Sequence, residues 1–177
     1  MTILDMPPHL PLTAEEFEDL PPVEGWRIEL WEGNLDVASA AQMAWHSTTM
    51  REIANMIAAT GRVVHTEVGV VLAPRTVRTP DVTRFRPGVR PDLLRSQFPV
   101  ADVDLVIEII SPESAKRDRL IKPDEYATAG IPEFWLVEQH PEDINDAEVN
   151  IYQLAPSRAY TLVRSVALSA LEQEIER

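Results

Sequence analysis

A glutamate in the middle of an apolar segment is the feature that most constrains how this chain can fold. Glu108 lies within residues 105–110, where every other residue is Leu, Val or Ile. Such short β-branched runs are typical of strands buried on both faces. A carboxylate there is costly unless it is paired, protonated or bound to a cation. The segment predicts either a functional carboxylate or a structural one that pairs with an arginine or ends the strand.

Two more charged residues, Asp81 and Lys122, favour the functional interpretation. Asp81 follows Thr79 and Pro80, and Lys122 directly precedes Pro123. A proline followed by two acids is typical of the first turn of a helix, because its fixed φ suits that turn and the acids favour the positive end of the helix dipole. We therefore expect Lys122 at a helix start or kink.

Together the three side chains suit metal-dependent phosphodiester cleavage. Two carboxylates that converge from adjacent strands form the oxygen-rich site that Mg²⁺ or Mn²⁺ prefers. Such a metal would polarise the phosphate and activate water, while the Lys122 amine would orient that water or neutralise developing charge. The predicted site consists of Asp81, Glu108 and Lys122.

The hydrophobic pattern predicts strands that alternate with helices. Thr13 and Glu16 have the spacing of a capping box for a first helix, and residues 26–38 alternate as a β-hairpin does. Residues 50–58 have the apolar spacing of a buried helix, and residues 134–138 resemble a buried strand. We therefore expect an α/β fold in which helices flank a mixed central β-sheet.

The length of 177 residues favours a single domain over residues 1–177. We expect its ends, residues 1–11 and 167–177, to be the flexible parts. Residues 86–103 contain three prolines, a glycine and several charges, which is typical of a mobile loop.

The composition excludes several classes of protein. The chain has no cysteine, so disulfides and thiolate metal sites are excluded. It has neither a signal-peptide pattern nor an apolar stretch near the roughly 20 residues of a membrane span. With no cysteine, a cytoplasmic location is the default expectation. The four histidines lack the paired spacing of a zinc site. Glycine loops for nucleotides and the Gly-x-Ser-x-Gly elbow are also absent.

The charge is distributed unevenly along the chain. The net charge is −13, which by itself argues against a nucleic-acid partner. Residues 75–122, however, hold ten of the sixteen Lys and Arg residues against seven acids, a local charge of +3. This distribution predicts a face that attracts DNA near the site, and a solvated surface of mixed charge is the alternative.

Two further residues are candidates for accessory roles. His46 precedes the long helix and could lie near the substrate, although a capping or packing role is the simpler interpretation. Glu29 is on the polar face of the predicted hairpin, where it could be an accessory acid or a surface or ion-pairing residue.

Several blocks of the sequence resemble one known family, the Uma2-type putative restriction endonucleases of the PD-(D/E)xK nuclease superfamily. The resemblance extends from about residue 13 to residue 154. The blocks are residues 27–35 (RIELWEGNL), His46 before a helix, Pro80-Asp81-Val82, residues 104–112 (DLVIEIISP), Asp118 with Lys122 and Tyr126, and residues 129–138 (AGIPEFWLVE).

The resemblance implies a restriction-endonuclease-like core and a catalytic site. It implies that Asp81 and Glu108 bind a divalent metal, usually Mg²⁺, with the backbone carbonyl of Ile109 as a further ligand. In the superfamily motif the catalytic lysine lies two residues after the acid, but this chain has Ile110 at that position. The resemblance implies that Lys122, from the following helix, takes the role of the catalytic lysine. Pro123 beside the lysine departs from the family pattern, and Arg27 stands where a tyrosine is common.

The sequence leaves three functions open. The first is a metal-dependent endonuclease that hydrolyses DNA phosphodiester bonds, with a homodimer as one arrangement that would cut both strands. The second is a non-catalytic nucleic-acid-binding or protein-interaction module that retains the fold. The third is a phosphoesterase for small molecules.

Overall fold

The computed structural model describes residues 10–40, 42–111 and 115–175, without the Lys116 side chain. Over these residues the chain alternates short strands and helices, as the hydrophobic pattern predicts. In chain order the elements are α1 (Ala14–Glu18), β1 (Trp26–Trp31), β2 (Asn34–Ser39), α2 (Ala44–Ala59), β3 (Val64–Thr66), β4 (Gly69–Ala73), β5 (Thr76–Arg78), β6 (Val82–Phe85), β7 (Gln97–Pro99), β8 (Val103–Ile109), α3 (Ala115–Leu120), α4 (Lys122–Ala129), β9 (Glu133–Gln139), β10 (Ala147–Leu154), β11 (Tyr160–Ala167) and α5 (Leu168–Ile175).

The strands form two mixed sheets. The first sheet has the order β2-β1-β5-β4-β7, and the second sheet has the order β11-β10-β9-β8-β6-β3. Neighbouring strands are antiparallel except for the parallel pairs β4–β7 and β8–β9. The predicted α/β class with a mixed sheet and flanking helices is confirmed. The strand pattern alone did not distinguish one sheet from two.

The predicted loop over residues 86–103 contains regular structure. Residues Gln97–Pro99 form β7, which pairs in parallel with β4, and a 3₁₀ turn follows at Val100–Asp102. Gln97 is buried, and its Nε2 donates a hydrogen bond to the carbonyl of Ala14 at 2.7 Å. A three-residue strand that ends in proline is too short to produce a periodic pattern, so the prediction of a loop was wrong for this part.

Helix α1 begins as predicted, with a complete capping box. The Thr13 side chain accepts a hydrogen bond from the Glu16 amide, and the Glu16 carboxylate accepts one from the Thr13 amide. Helix α2 begins at Ala44, earlier than the apolar spacing suggested. His46 therefore lies in the first turn of α2 and does not precede the helix.

Strand β8 is buried on both faces, as its sequence predicts. Leu105, Ile107 and Ile109 belong to the core that also contains residues of α2 and α5. Val106 belongs to a second core with Tyr126 of α4. Because side chains alternate across a strand, Glu108 lies on the same side as Val106 and meets α4.

The two ends of the chain are only partly described. Residues 1–9 and 176–177 of the predicted flexible ends lie outside the described residues. Within α5, Leu168 and Leu171 are buried in the first core. No described helix combines the length and the apolar character needed to cross a membrane.

The β1–β2 hairpin is anchored at its turn by Gly33. Gly33 has a φ of 84°, which favours glycine, and its carbonyl accepts a hydrogen bond from the Leu12 amide at 2.8 Å. A Cβ atom at this position would overlap the side chain of Pro11. The turn therefore fixes a hairpin that carries Arg27 and Glu29 toward the second sheet.

We predict that Gly33→Ala lowers the free energy of unfolding by about 3 kcal/mol, because it combines a positive φ with a steric overlap. The matched control is Gly61→Ala, where φ is 78° and no atom lies within 4 Å of the added Cβ. This control should cost only about 1 kcal/mol. Urea denaturation of the two variants measures both values, and equal losses would contradict the packing assigned to the hairpin turn.

Candidate active site

Strand pairing brings Asp81 beside Glu108. Strands β6 and β8 are antiparallel, with Val82 opposite Ile107. Asp81 directly precedes β6, so the same register places it next to Glu108. The Ile109 amide donates a hydrogen bond to Asp81 Oδ2 at 2.7 Å, which fixes the carboxylate against β8.

Asp81 is held in its ionised form by its neighbours. Arg27 Nη2 donates to Oδ1 at 2.9 Å, and His46 Nε2 lies 3.2 Å from Oδ2. Burial by itself raises the pKa of Asp81, but the hydrogen bond with His46, the charge of Arg27 and the Ile109 amide outweigh it and lower the pKa. Asp81 therefore remains a carboxylate although only 1% of it is exposed.

Glu108 is the most deeply buried acid of the site, with 0% exposure. Its Oε1 accepts hydrogen bonds from Lys122 Nζ at 3.0 Å and from the Tyr126 hydroxyl. Its Oε2 is buried and has no partner among the described residues. Burial raises the pKa of Glu108 to about 8, and the charge of Lys122 opposes this rise.

Lys122 is the first residue of α4, as the sequence predicted. Its Nζ lies 3.0 Å from Glu108 Oε1, 3.2 Å from Glu29 Oε1 and 3.4 Å from Asp118 Oδ1. Burial lowers the pKa of Lys122, but these acids more than compensate and raise it, so the amine stays cationic. Pro123 lies in the first helical turn, where its missing amide is tolerated.

Glu29 is buried, although the hairpin pattern also allowed a surface position. It is 3% exposed, and its Oε1 accepts a hydrogen bond from the Thr79 amide at 2.9 Å. Its Oε2 accepts one from Arg78 at 3.0 Å. Although burial alone would raise the pKa of Glu29, Lys122, Arg78 and the Thr79 amide lower it. Glu29 is therefore an ionised partner of Lys122.

The sequence interpretation did not identify Arg78, which connects the first sheet to α4. The guanidinium is 2% exposed and donates two hydrogen bonds to Glu125 of α4, at 2.7 and 2.9 Å. It also contacts Glu29 and lies 3.2 Å from Asp36. The only signal in the sequence is an arginine between Val77 and Thr79 in a short strand, which is equally typical of a surface residue.

These side chains surround a pocket of about 430 Å³ between the two sheets. Glu108 lies behind its wall. The lining residues are Arg27, Glu29, Asp36, Ala38, Ser39, Gln42, His46, Asp81, Ile109, Ser111, Arg117, Asp118 and Lys122. His46 thus lies at the pocket, as one of its two interpretations required, and its Nδ1 is buried without a partner among the described residues.

The donor set suits a hard divalent cation. The lining has four acids and three cations, and Glu108 makes a fifth acid, so the formal excess is one negative charge while Glu108 is protonated and two once it ionises. Glu108 Oε2 is an orphaned buried oxygen, which a cation would satisfy. The described residues contain no group of three His, Asp or Glu side chains close enough to hold a metal. A metal would therefore rely on two carboxylates, water and main-chain oxygen, as Mg²⁺ commonly does.

Many basic residues of the positive segment form ion pairs with acids of the same chain. Among the residues that the structure describes, six of its Lys and Arg residues are engaged in ion pairs within the chain. These are Arg78, Arg84, Arg95, Arg117, Arg119 and Lys122. The local charge of +3 thus overstates the positive charge available to a partner, because much of it neutralises acids from elsewhere in the chain.

Comparisons with known proteins give the family and the fold of this chain. The chain matches the model of the family described as "Uma2: Putative restriction endonuclease" over residues 14–175. It is similar to the crystal structure of "a putative nuclease belonging to DUF820" from Anabaena variabilis ATCC 29413, with a TM-score of 0.64 and 18% identity over 89% of this chain and 84% of that chain. At this identity the likeness shows the fold alone. No curated protein matches the chain. Since the family model covers nearly all of the described residues, the chain belongs to the Uma2 family of putative restriction endonucleases.

Proposed function

We propose that this protein is a metal-dependent endonuclease that hydrolyses DNA phosphodiester bonds through Asp81, Glu108 and Lys122. The observation that carries the proposal is the buried contact of 3.0 Å between Lys122 and Glu108, next to Asp81 at a pocket. A buried carboxylate and amine are expensive to maintain and are common at catalytic sites. The family description and the nuclease with the similar fold support the same reaction class.

Asp81, Glu108 and the backbone carbonyl of Ile109 would hold Mg²⁺ or Mn²⁺. When bound, such a metal polarises a phosphate oxygen and lowers the pKa of an attacking water. The protein supplies the orientation, because the Ile109 amide fixes Asp81 and the Tyr126 hydroxyl fixes Glu108.

Lys122 would act electrostatically, because it stays cationic in a ring of acids. Two of these acids, Glu29 and Asp118, lie 3.2 and 3.4 Å from Nζ and restrain its position. Its charge would stabilise the negative charge that develops on the phosphate during attack. Glu29 would accordingly position the Lys122 amine, and His46 would position the Asp81 carboxylate.

DNA is the substrate that we propose, on the basis of the family description. The overall charge of −13 and the internally paired arginines indicate that few phosphates are contacted beyond the pocket. A homodimer and a cytoplasmic location stay predictions from the sequence.

A non-catalytic module is the second candidate, and one observation favours it. Both oxygens of Asp81 already have donors without any metal. Salt-sensitive DNA binding without metal-dependent cleavage would support this candidate. Turnover of a chromogenic phosphodiester but not of DNA would instead support a small-molecule phosphoesterase, which the modest pocket volume also allows.

We predict that Asp81→Asn, Glu108→Gln and Lys122→Met each reduce plasmid nicking in Mg²⁺ or Mn²⁺ by about 10²–10³-fold, because the first two weaken the proposed metal site and the third removes the positive charge that stabilises the transition state. The matched controls are Glu142→Gln and Asp143→Asn, which change exposed acids in a turn remote from the pocket lining. The controls should nick like the wild type. Equal residual nicking by all six proteins would contradict the assigned reaction.

We also predict that Mn²⁺ raises the melting temperature of the wild type. At a concentration about 100 times the dissociation constant, the stabilisation is about 2.7 kcal/mol, or roughly 5–10 °C. The increase should vanish in Asp81→Asn and Glu108→Gln but persist in Asp143→Asn, which keeps both proposed ligands. Calorimetry of each protein with and without Mn²⁺ measures the shift, and an unchanged shift in the two site variants would place the metal elsewhere.

A further inference from the structure

Arg27 makes a contact between the two sheets that the proposed reaction does not use. The residue lies on β1 of the first sheet, whereas Asp81 precedes β6 of the second. Its Nη2 donates to Asp81 Oδ1 at 2.9 Å and to Glu67 Oε1 at 3.0 Å. The side chain is 20% exposed and lines the pocket. A guanidinium is therefore held where a cation would approach Asp81.

The contact leaves Asp81 satisfied before any metal binds. Arg27 occupies Oδ1, while the Ile109 amide and His46 occupy Oδ2. A divalent cation that binds Asp81 must share the carboxylate with this guanidinium or displace it. Two cations a few ångströms apart repel strongly in a partly buried site, so Arg27 opposes metal binding.

We propose that Arg27 is the internal counter-cation of Asp81 and that it lowers the affinity of the pocket for a divalent metal. Once it is displaced from Asp81, Arg27 binds a phosphate oxygen of the substrate. This inference rests on the proposed function, since it assumes that Asp81 is a metal ligand. Arginine suits the second role because its five donors form a fork that matches phosphate geometry. Only Nη2 is used in the contacts with Asp81 and Glu67.

The pocket provides a matched control in Arg117. This residue also lines the pocket, but its Nη1 contacts Asp36 at 2.7 Å. Removing either arginine changes the charge of the pocket equally, yet only Arg27 competes for Asp81. A difference in Mn²⁺ affinity between an Arg27 variant and an Arg117 variant therefore measures the effect of the contact between Arg27 and Asp81, and not the effect of the total charge of the pocket.

The test is the affinity for Mn²⁺ alone, measured without DNA from the free Mn²⁺ signal in electron paramagnetic resonance. Arg27→Gln should bind Mn²⁺ about tenfold more tightly than the wild type, because the repulsion is gone. Arg117→Gln should change the affinity by about threefold or less, because Arg117 contacts Asp36 and not the proposed ligand Asp81. Arg27→Lys retains the charge and should remain near the wild type. Circular dichroism establishes that each variant is folded.

The outcomes separate this inference from the proposed function. If the wild type binds Mn²⁺ and both Arg27→Gln and Arg117→Gln bind with the same affinity as the wild type, the inference is overturned while the metal site stands. If no protein binds Mn²⁺, both this inference and the proposed metal site fail.

In plasmid nicking, Arg27→Gln should raise KM for DNA by about tenfold even with saturating Mn²⁺, because the phosphate contact is lost. An unchanged KM would overturn the phosphate role.

Discussion

The contact between Glu108 and Lys122 is the constraint on which the site depends. A carboxylate in a strand that is buried on both faces must be compensated, and the compensating amine comes from the first residue of α4. This fixes where α4 begins and which side of β8 it covers. Glu29 and Asp118 then surround the same amine, so one cation serves three acids. The acids of the pocket lining still outnumber its cations, an arrangement that suits a divalent cation.

The sequence predicted those residues of the candidate site whose type is unusual among their neighbours in the chain. Glu108 is conspicuous because it interrupts an apolar strand, and Lys122 because Pro123 marks a helix start. Arg78 and the depth of Glu29 could not be predicted, because their partners lie 49 positions apart in the sequence. Strand β7 was missed for a related reason: three residues carry no periodicity, and their position depends on pairing with β4.

The surface charge could not be predicted from the sequence either, because it also depends on contacts between distant residues. A count along the chain assigns positive charge to residues 75–122, but folding pairs several of those arginines with acids outside that segment. Arg84, for example, contacts Asp104 and Glu133, and Arg95 contacts Glu18. Net charge in sequence is therefore a poor guide to the surface of a protein whose arginines are structural. The fold, in contrast, is similar in a protein described as a putative nuclease at 18% identity, which is expected because core packing tolerates substitution.

The most direct test of the central claim is a crystal of the protein soaked with Mn²⁺, examined by anomalous diffraction. The account predicts one anomalous peak at the pocket, about 2.2 Å from oxygens of both Asp81 and Glu108, the spacing expected for a hard divalent cation with oxygen ligands. The Lys122 amine should remain beside Glu108. A peak that lies away from both carboxylates, or an occupied site from which Lys122 has withdrawn into solvent, would contradict it.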